Sequence, residues 1–232
     1  MDSVSGAIIL AGGLGTRLKS ISKDTPKPLM PINDKVFLDY PIHQLKKFNI
    51  NNIFLSVGFN HNLIVDYFKN TELKYIIEEE PLGTGGAIKK ALSQISDFEN
   101  IVILNGDTFF NIDYDKLVEL HLKTRSDITI GSKIIQKPYR YGTMEVENSK
   151  VIDFKEKKEI EEGVVNCGIY IINKSILKYF PSEEKFSFEK EILENQIQKL
   201  KISTLISDSY FIDIGIPEDY NKAISELPQF LK

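Results

Sequence analysis

Several residue types are scarce in this 232-residue sequence, and each scarcity excludes a class of protein. There is one cysteine, Cys167, and no tryptophan. A single cysteine cannot form an internal disulfide or provide a multi-cysteine metal site. No apolar run reaches the roughly 18 residues that a membrane-spanning helix requires, and residues 1–6 lack the basic and apolar segments of a signal peptide. We therefore expect a cytoplasmic protein with no membrane partner.

Basic residues are too few for a dedicated nucleic-acid-binding protein. The 29 lysines and arginines are outnumbered by 33 aspartates and glutamates, which gives a net charge of −4, whereas nucleic-acid-binding domains are usually basic. Only three histidines are present, and each falls within or at the start of a predicted helix. We interpret His43, His61 and His121 as structural or surface residues, so few side chains are left for general-base catalysis.

The first half of the chain alternates apolar runs with amphipathic stretches. The apolar runs stop at Gly, Asn or acidic residues, as strands buried on both faces of a parallel sheet do. These runs cover residues 7–10, 53–57, 74–77 and 101–104. Helical periodicity is found over residues 37–48, 61–69, 84–93 and 113–125. The alternation predicts an α/β fold with a Rossmann-like, mixed but mostly parallel sheet flanked by helices.

The second half is rich in β-forming residues. We predict strands over residues 128–134, 143–146, 151–154, 164–172 and 201–206, and helices over 188–199 and 217–226. There is no internal repeat, low-complexity stretch or linker. We therefore predict one domain over residues 1–232, with a nucleotide-binding half at about 1–125 and a β-rich half at about 126–232. Because ligands of α/β sheets bind beyond the carboxyl ends of the strands, the loops after residues 10, 77 and 104 are the candidate site.

A glycine-rich loop follows the first predicted strand. Gly12, Gly13 and Gly15 allow the backbone to approach an anion closely and to turn N–H groups toward it. Arg17 adds a guanidinium suited to phosphate. The loop lacks the Gly-Lys-Ser/Thr ending of a Walker A loop, and it has Leu18 where a dinucleotide-binding fingerprint has its third glycine. A flexible turn is the alternative interpretation of the cluster by itself.

Lys27 strengthens the hypothesis of an anion site. It lies between Pro26 and Pro28, shortly after the glycine-rich loop. Because proline fixes φ, the two prolines present the lysine from a stiff segment. Taken alone, Lys27 could equally be an exposed loop residue.

Together these motifs resemble those of the sugar-1-phosphate nucleotidyltransferases. The signature lies in residues 10–18 and 26–29, and the resemblance extends from residue 7 to about residue 224. Within the family, residues 83–88 and 211–220 are most similar to guanylyltransferases that act on D-glycero-D-manno-heptose 1-phosphate. The other matching segments are residues 80–87, 105–107, 140–142, 154–157, 166–170 and 211–215.

The resemblance implies a Mg²⁺-dependent enzyme of surface polysaccharide synthesis. Such an enzyme transfers a nucleoside monophosphate from a nucleoside triphosphate, here GTP, to a sugar 1-phosphate, here the heptose 1-phosphate, and releases pyrophosphate. The nucleophile is a phosphate oxygen whose second pKa is about 6, so it is ionised near neutral pH. Catalysis then consists of positioning and charge neutralisation, with no general base. A homo-oligomer is compatible with the sequence.

The resemblance also implies the catalytic and metal-binding residues. Arg17, Lys27 and Asp107 would be catalytic, and Asp107 and Asp213 would bind Mg²⁺. Without the resemblance, Asp107 would be interpreted as a turn cap and Asp213 as a buried, hydrogen-bonded acid. Lys158 stands where the family has proline. The residues implied to bind the sugar phosphate are Gly142, Glu156, Lys157 and Asn166.

The resemblance implies that the nucleotide contacts the glycine-rich loop, the start of the third predicted helix and the glutamates that precede this helix. A carboxylate at Glu78 or Glu80 could accept hydrogen bonds from both N1–H and N2–H₂ of guanine, a donor pair that adenine lacks. Alternatively, these glutamates are surface residues at the end of a strand. The full set of implied nucleotide contacts is Leu10, Ala11, Gly12, Gly13, Gly15, Thr16, Arg17, Glu78, Glu80 and Gly85.

Three other functions remain open at this point. The same chemistry could use dTTP, UTP or CTP with a hexose 1-phosphate. The chain could be a non-catalytic regulator that binds a nucleotide sugar, although the combined presence of Arg17, Lys27, Asp107, Lys157 and Asp213 argues against this. A nicotinamide-dependent oxidoreductase is disfavoured by the missing third glycine.

Overall fold

The computed structural model describes residues 4–13, 25–155 and 160–231. Predicted site residues that lie outside these ranges are Gly15, Thr16, Arg17, Glu156 and Lys157. The strands are β1 (Gly6–Leu10), β2 (Pro31–Ile32), β3 (Lys35–Val36), β4 (Asn52–Val57), β5 (Lys74–Ile77), β6 (Asn100–Asn105), β7 (Thr108–Phe110), β8 (Ile128–Gln136), β9 (Thr143–Glu147), β10 (Lys150–Lys155), β11 (Glu162–Asn173), β12 (Ile202–Ile206) and β13 (Phe211–Asp213). The α-helices are α1 (Asp39–Lys47), α2 (His61–Tyr67), α3 (Gly83–Gln94), α4 (Tyr114–Thr124) and α5 (Pro217–Glu226).

Nine strands form one mixed sheet in the order β5-β4-β1-β6-β11-β8-β12-β10-β9. The four strands that the first half contributes to this sheet, β5, β4, β1 and β6, are mutually parallel, as predicted. Strand β11 then runs antiparallel to both β6 and β8. Beyond β11, β8 and β12 pair in parallel and the remaining pairs are antiparallel. The mixed α/β architecture is confirmed, with parallel pairing concentrated in the first half.

Helices cover both faces of the sheet because successive side chains of a strand point to opposite faces. In β1, Ile8 packs into a core with Ile88 of α3. Its neighbour Ile9 packs into the opposite core with Leu45 of α1 and Leu117 of α4. Both isoleucines are fully buried, so truncation of either to alanine would cost about 2–5 kcal/mol.

A short two-stranded sheet ties the end of the chain to the end of β6. Strands β7 and β13 pair antiparallel, with Asp213 opposite Thr108. A third apolar cluster, including Phe109 and Ile212, packs α5 against this sheet. The pairing brings two distant parts of the sequence to the same edge of the molecule.

The segment predicted as a helix over 188–199 has a different structure. It forms a π-helical turn over Glu189–Glu194, followed by turns. Phe188, Ile192 and Leu193 are buried there. Their spacing is compatible with an α-helical turn as well as with a π-helical turn, which explains why the pattern predicted an ordinary α-helix. No helix in the described part of the chain is long and apolar enough to cross a membrane.

Candidate active site

A cavity of about 590 Å³ opens where several parallel strands end. Residues following β1, β5 and β6 contribute to its walls, in agreement with the expectation that ligands bind beyond the carboxyl ends of such strands. The described residues that line the cavity are Leu10, Ala11, Gly12, Gly13, Lys27, Pro28, Glu78, Pro81, Leu82, Gly83, Thr84, Ala87, Asn105, Gly106, Asp107 and Lys185.

Close backbone packing shapes the floor of this cavity. The Gly106 N–H donates to the Leu10 carbonyl at 2.9 Å. A Cβ on Gly106 would lie 2.6 Å from the same carbonyl oxygen, so only glycine fits there. The loops after β1 and β6 are therefore held in contact beneath the ligand space.

Lys27 and Asp107 form an ion pair at the cavity. The Lys27 Nζ lies 2.9 Å from Asp107 Oδ2, and the lysine side chain is 16% exposed. Lys27 begins a 3₁₀ turn over Lys27–Leu29 that Pro26 precedes and that contains Pro28. The structure thus places Lys27 in the cavity lining, on a turn held by the two flanking prolines.

The two-stranded sheet of β7 and β13 brings Asp213 next to Asp107. The Ile214 N–H donates to the Asp107 carbonyl at 3.0 Å, and the Gly215 N–H donates to Asp213 Oδ1 at 2.7 Å. Burial raises the pKa of the Asp213 carboxyl, and the negative charge of Asp107 raises it further. The two carboxylates therefore lie close enough for their negative charges to interact.

These two carboxylates fit a Mg²⁺ ion better than a metal that requires an all-protein cage. Within residues 4–13, 25–155 and 160–231, no group of three His, Cys, Asp or Glu side chains could hold a metal. Mg²⁺ is usually bound by one or two carboxylates together with substrate phosphates and water. Asp107 and Asp213 match that donor set in number and chemistry.

Glu78 is buried at the cavity, whereas Glu80 is exposed and outside its lining. The Ser56 hydroxyl donates to Glu78 Oε1 at 2.9 Å, and the Leu82 N–H approaches Oε2 at 3.5 Å. A Cβ on Gly12 would lie 2.7 Å from Glu78 Oε1. The absence of a side chain at residue 12 thus leaves the carboxylate against the glycine-rich loop.

Gly85 does not have the position that the sequence suggested. It lies outside the cavity lining, and its N–H donates to the Phe186 carbonyl at 3.0 Å. A Cβ on Gly85 would come within 2.2 Å of the Phe186 ring. The predicted nucleotide contact is therefore replaced by a packing function, because the N–H group already has a protein partner.

Lys185 lines the cavity, although no motif in the sequence predicts this position. The adjacent Phe186 exchanges two backbone hydrogen bonds with the start of α3, to Leu82 and from Gly85. These bonds bring Lys185 to the cavity from a charged surface segment that contains no recognisable motif. Only the three-dimensional contact could have revealed it.

Of the predicted sugar-phosphate residues, Gly142 and Asn166 are described, and both lie on the antiparallel side of the sheet. Asn166 stands at a bulge in β11, where its Oδ1 accepts from the Gly168 N–H and its Nδ2 donates to the Tyr170 hydroxyl, both at 2.9 Å. Gly168 has a positive φ of 73° and packs against Asn105, which lines the cavity. Gly142 is exposed beside the Lys155 carbonyl.

His121 has the structural function predicted for it. Its two ring nitrogens contact Thr129 Oγ1 at 2.8 Å and Asn100 Oδ1 at 3.0 Å. Burial lowers the pKa of His121 to about 4, so the ring is neutral near pH 7. It lies outside the cavity lining and offers no base to the site.

The sequence matches the Nucleotidyl transferase family over residues 6–229, and the chain belongs to that family. It is 47% identical over 229 residues to the D-glycero-alpha-D-manno-heptose 1-phosphate guanylyltransferase of Aneurinibacillus thermoaerophilus, covering 97% of this chain and 99% of that protein. It is 49% identical over 219 residues to the enzyme of the same name from Campylobacter jejuni, covering 92% and 96%.

Solved structures agree with this assignment. The structure of HddC from Yersinia pseudotuberculosis complexed with GMP-PN superposes with a TM-score of 0.83 at 39% identity, covering 96% of this chain and 99% of that one. The protein is thus a nucleotidyltransferase of the sugar-1-phosphate class, and its mixed sheet is the fold of that class.

Proposed function

We propose that this protein transfers GMP from GTP to D-glycero-α-D-manno-heptose 1-phosphate and releases pyrophosphate. The observation that carries the proposal is a single cavity that combines a buried carboxylate, Glu78, with the Lys27–Asp107 ion pair. The guanylyltransferase names of relatives at 47–49% identity support the choice of base and sugar.

In the proposed reaction, a phosphate oxygen of the sugar 1-phosphate attacks the α-phosphorus of GTP. A new P–O bond forms, the bond to the β-phosphate oxygen breaks, and pyrophosphate leaves with the electron pair. Lys27 neutralises charge on the phosphates, and Asp107 orients its ammonium group. Arg17 and Lys157, which lie outside the described residues, are proposed to supply further positive charge on the triphosphate and sugar-phosphate sides.

Asp107 and Asp213 are proposed to hold Mg²⁺. The family generally uses a divalent metal, and the two carboxylates fit that ion in number and chemistry. When bound, Mg²⁺ supplies positive charge that offsets the phosphates and fixes their orientation. The Gly215 N–H keeps Asp213 Oδ1 in place, and Lys27 does the same for one oxygen of Asp107.

Glu78 is proposed to select guanine. Its carboxylate is buried at the cavity and oriented by Ser56, so it could accept from the N1–H and N2–H₂ groups of the base. A site built around such donors can reject an analogue that lacks them by about 10⁴–10⁵. ATP lacks both donors, which makes it the most informative competitor.

The proposal is tested by assaying pyrophosphate release with each of five nucleoside triphosphates against heptose, mannose and glucose 1-phosphates. We expect the highest kcat/KM for GTP with the heptose 1-phosphate. A preference for a pyrimidine triphosphate or a hexose 1-phosphate would assign a different transferase. Nucleotide binding without release of pyrophosphate by any pair would instead indicate the regulator considered above.

A further inference from the structure

A second cavity, of about 320 Å³, lies beside Asp213. Its walls come from the turn between β8 and β9, from β13 and from the start of α5. Charged groups of both signs line it: Lys137, Arg140, Asp213, Asp219 and Lys222. The position of Arg140 in this cluster affects whether the Asp213 carboxylate is free to bind a cation.

Arg140 lies between two carboxylates but contacts them unequally. One guanidinium nitrogen donates to Asp219 Oδ2 at 2.5 Å. Another nitrogen of the same group is 4.0 Å from Asp213 Oδ2, which is too far for a hydrogen bond. The closer bond therefore holds Arg140 on Asp219, in the first turn of α5.

Aromatic packing limits the movement of this guanidinium. Arg140 lies over the ring of Tyr141, 5.5 Å from its centroid. The Tyr141 ring packs against Phe211 with centroids 6.1 Å apart, and Phe211 begins the strand that ends at Asp213. The ion pair with Asp219 is the only charged restraint on Arg140 besides Asp213 among the described residues.

As a result, the two carboxylate oxygens of Asp213 differ in their contacts. Oδ1 accepts the Gly215 N–H at 2.7 Å. Oδ2 receives no hydrogen bond from any described residue, and Arg140, at 4.0 Å, is the one cationic side chain among them within ion-pair distance of it. A shift of Arg140 by about 1 Å would close a charge-assisted hydrogen bond on Oδ2 and occupy it.

We propose that Asp219 is a positioning residue that holds the Arg140 guanidinium off Asp213 and thereby keeps Asp213 Oδ2 open to a divalent cation. The inference rests on the proposed function, in which Asp213 is a metal ligand. At 4.0 Å, Arg140 still offsets part of the carboxylate charge without competing for the oxygen. Without Asp219, the same arginine becomes an intramolecular competitor of the metal.

The test compares equilibrium binding of Mn²⁺–GTP with that of metal-free GTP, in the full chain and without sugar phosphate. Bound Mn²⁺ is followed by electron paramagnetic resonance. In Asp219→Asn, we expect Mn²⁺–GTP to bind on the order of tenfold more weakly. The reason is that Arg140 would move closer to the Asp213 carboxylate, near the protein surface, and compete there with the metal. Metal-free GTP should bind as in the wild type. In activity assays, a higher Mg²⁺ concentration should be needed to reach an unchanged kcat.

A second substitution separates release of Arg140 from simple damage to α5. The double variant Arg140→Gln with Asp219→Asn removes the competing cation and should restore Mn²⁺–GTP binding. Glu218→Gln removes the same charge from the same helical turn, on an exposed neighbour, and should leave binding at the wild-type value.

Three outcomes would overturn the inference. Wild-type Mn²⁺–GTP binding in Asp219→Asn would show that Arg140 does not compete, and equal weakening in the single and double variants would show a structural effect. Asp213→Asn distinguishes these from failure of the proposed metal site. If Asp213→Asn retains wild-type binding of Mn²⁺–GTP, Asp213 is not a ligand and both proposals fall.

Discussion

Lys27 donates to Asp107 at 2.9 Å although 80 residues separate them in the sequence. The lysine comes from a proline-flanked turn, and the aspartate follows a buried strand at the centre of the sheet. Their contact joins the cationic group of the site to one proposed ligand of the metal. Since the partners are only partly exposed, the pair is shielded from solvent more than an ordinary surface ion pair is.

The first prediction concerns this ion pair. Lys27→Met should reduce kcat by about 10²–10³, the usual effect of removing one group that stabilises developing charge. Lys35→Met is a matched control, because Lys35 is exposed and outside the cavity lining. Pyrophosphate release at saturating substrates measures the effect. A rate near that of the wild type would exclude Lys27 from the catalytic machinery.

The second prediction separates the two candidate base-reading glutamates. Glu78→Gln should lower kcat/KM for GTP by at least about 10²-fold, because an amide cannot accept both guanine donors. Glu80→Gln should leave it unchanged, since Glu80 is exposed and outside the cavity lining. The two variants are compared with GTP and ATP at a fixed concentration of sugar phosphate. The opposite ranking would move base recognition to Glu80.

Long elements with clear periodicity were predictable from sequence. Helix α5 was predicted over residues 217–226 and is observed over Pro217–Glu226. The predicted strand at residues 164–172 is extended in the structure to Glu162–Asn173. In both cases the spacing of apolar residues, together with a residue that marks the end of the element, such as Pro217, favours the same structure as the tertiary contacts do.

The short sheet that assembles the proposed metal site was not predicted. Strands β7 and β13 have three residues each, too few for a recognisable pattern. Their pairing sets Asp213 opposite Thr108, which lies 105 positions earlier in the sequence. The family resemblance suggested both aspartates, but their proximity is a property of the tertiary fold.

Gly85 illustrates a second limit of sequence motifs. The family resemblance implied that Gly85, near the start of a predicted helix, contacts the nucleotide. In the structure, the Phe186 carbonyl accepts a hydrogen bond from the Gly85 N–H, and the Phe186 ring packs against the Cα of Gly85. A partner 101 positions further along the chain leaves no local signal.

The third prediction contrasts this glycine with Gly13. Gly85→Ala should destabilise the protein by about 1–3 kcal/mol, because its Cβ would overlap the Phe186 ring. A Cβ on Gly13 would meet no atom of a described residue within 4 Å, yet Gly13 lines the cavity. Gly13→Ala should therefore keep wild-type stability and raise KM for GTP. Urea denaturation and steady-state kinetics of both variants measure the two effects. If Gly85→Ala raised KM without loss of stability, Gly85 would be a ligand contact after all.

The fourth prediction follows from the raised pKa of Asp213 in the metal-free protein. In the unfolded chain this carboxyl titrates near its ordinary value of 3.8. Between that value and the raised one, the folded protein binds a proton that the unfolded chain has lost. The free energy of unfolding therefore decreases as the pH rises through this interval, and the full penalty persists at neutral pH.

Asp213→Asn removes this penalty while its side-chain oxygen can still accept the Gly215 N–H. In the presence of a chelator, the variant should be more stable than the wild type at pH 7, and the difference should shrink as the pH falls toward 4. Urea titrations at several pH values measure it, with the exposed Asp66→Asn as a control for loss of one negative charge. Saturating Mg²⁺ with GTP should stabilise the wild type more than Asp213→Asn, because the variant keeps Asp107 but has lost one of the two proposed charged ligands of the metal. A variant less stable than the wild type at pH 7 would show that the ionised carboxylate contributes to folding through a bond other than that to Gly215.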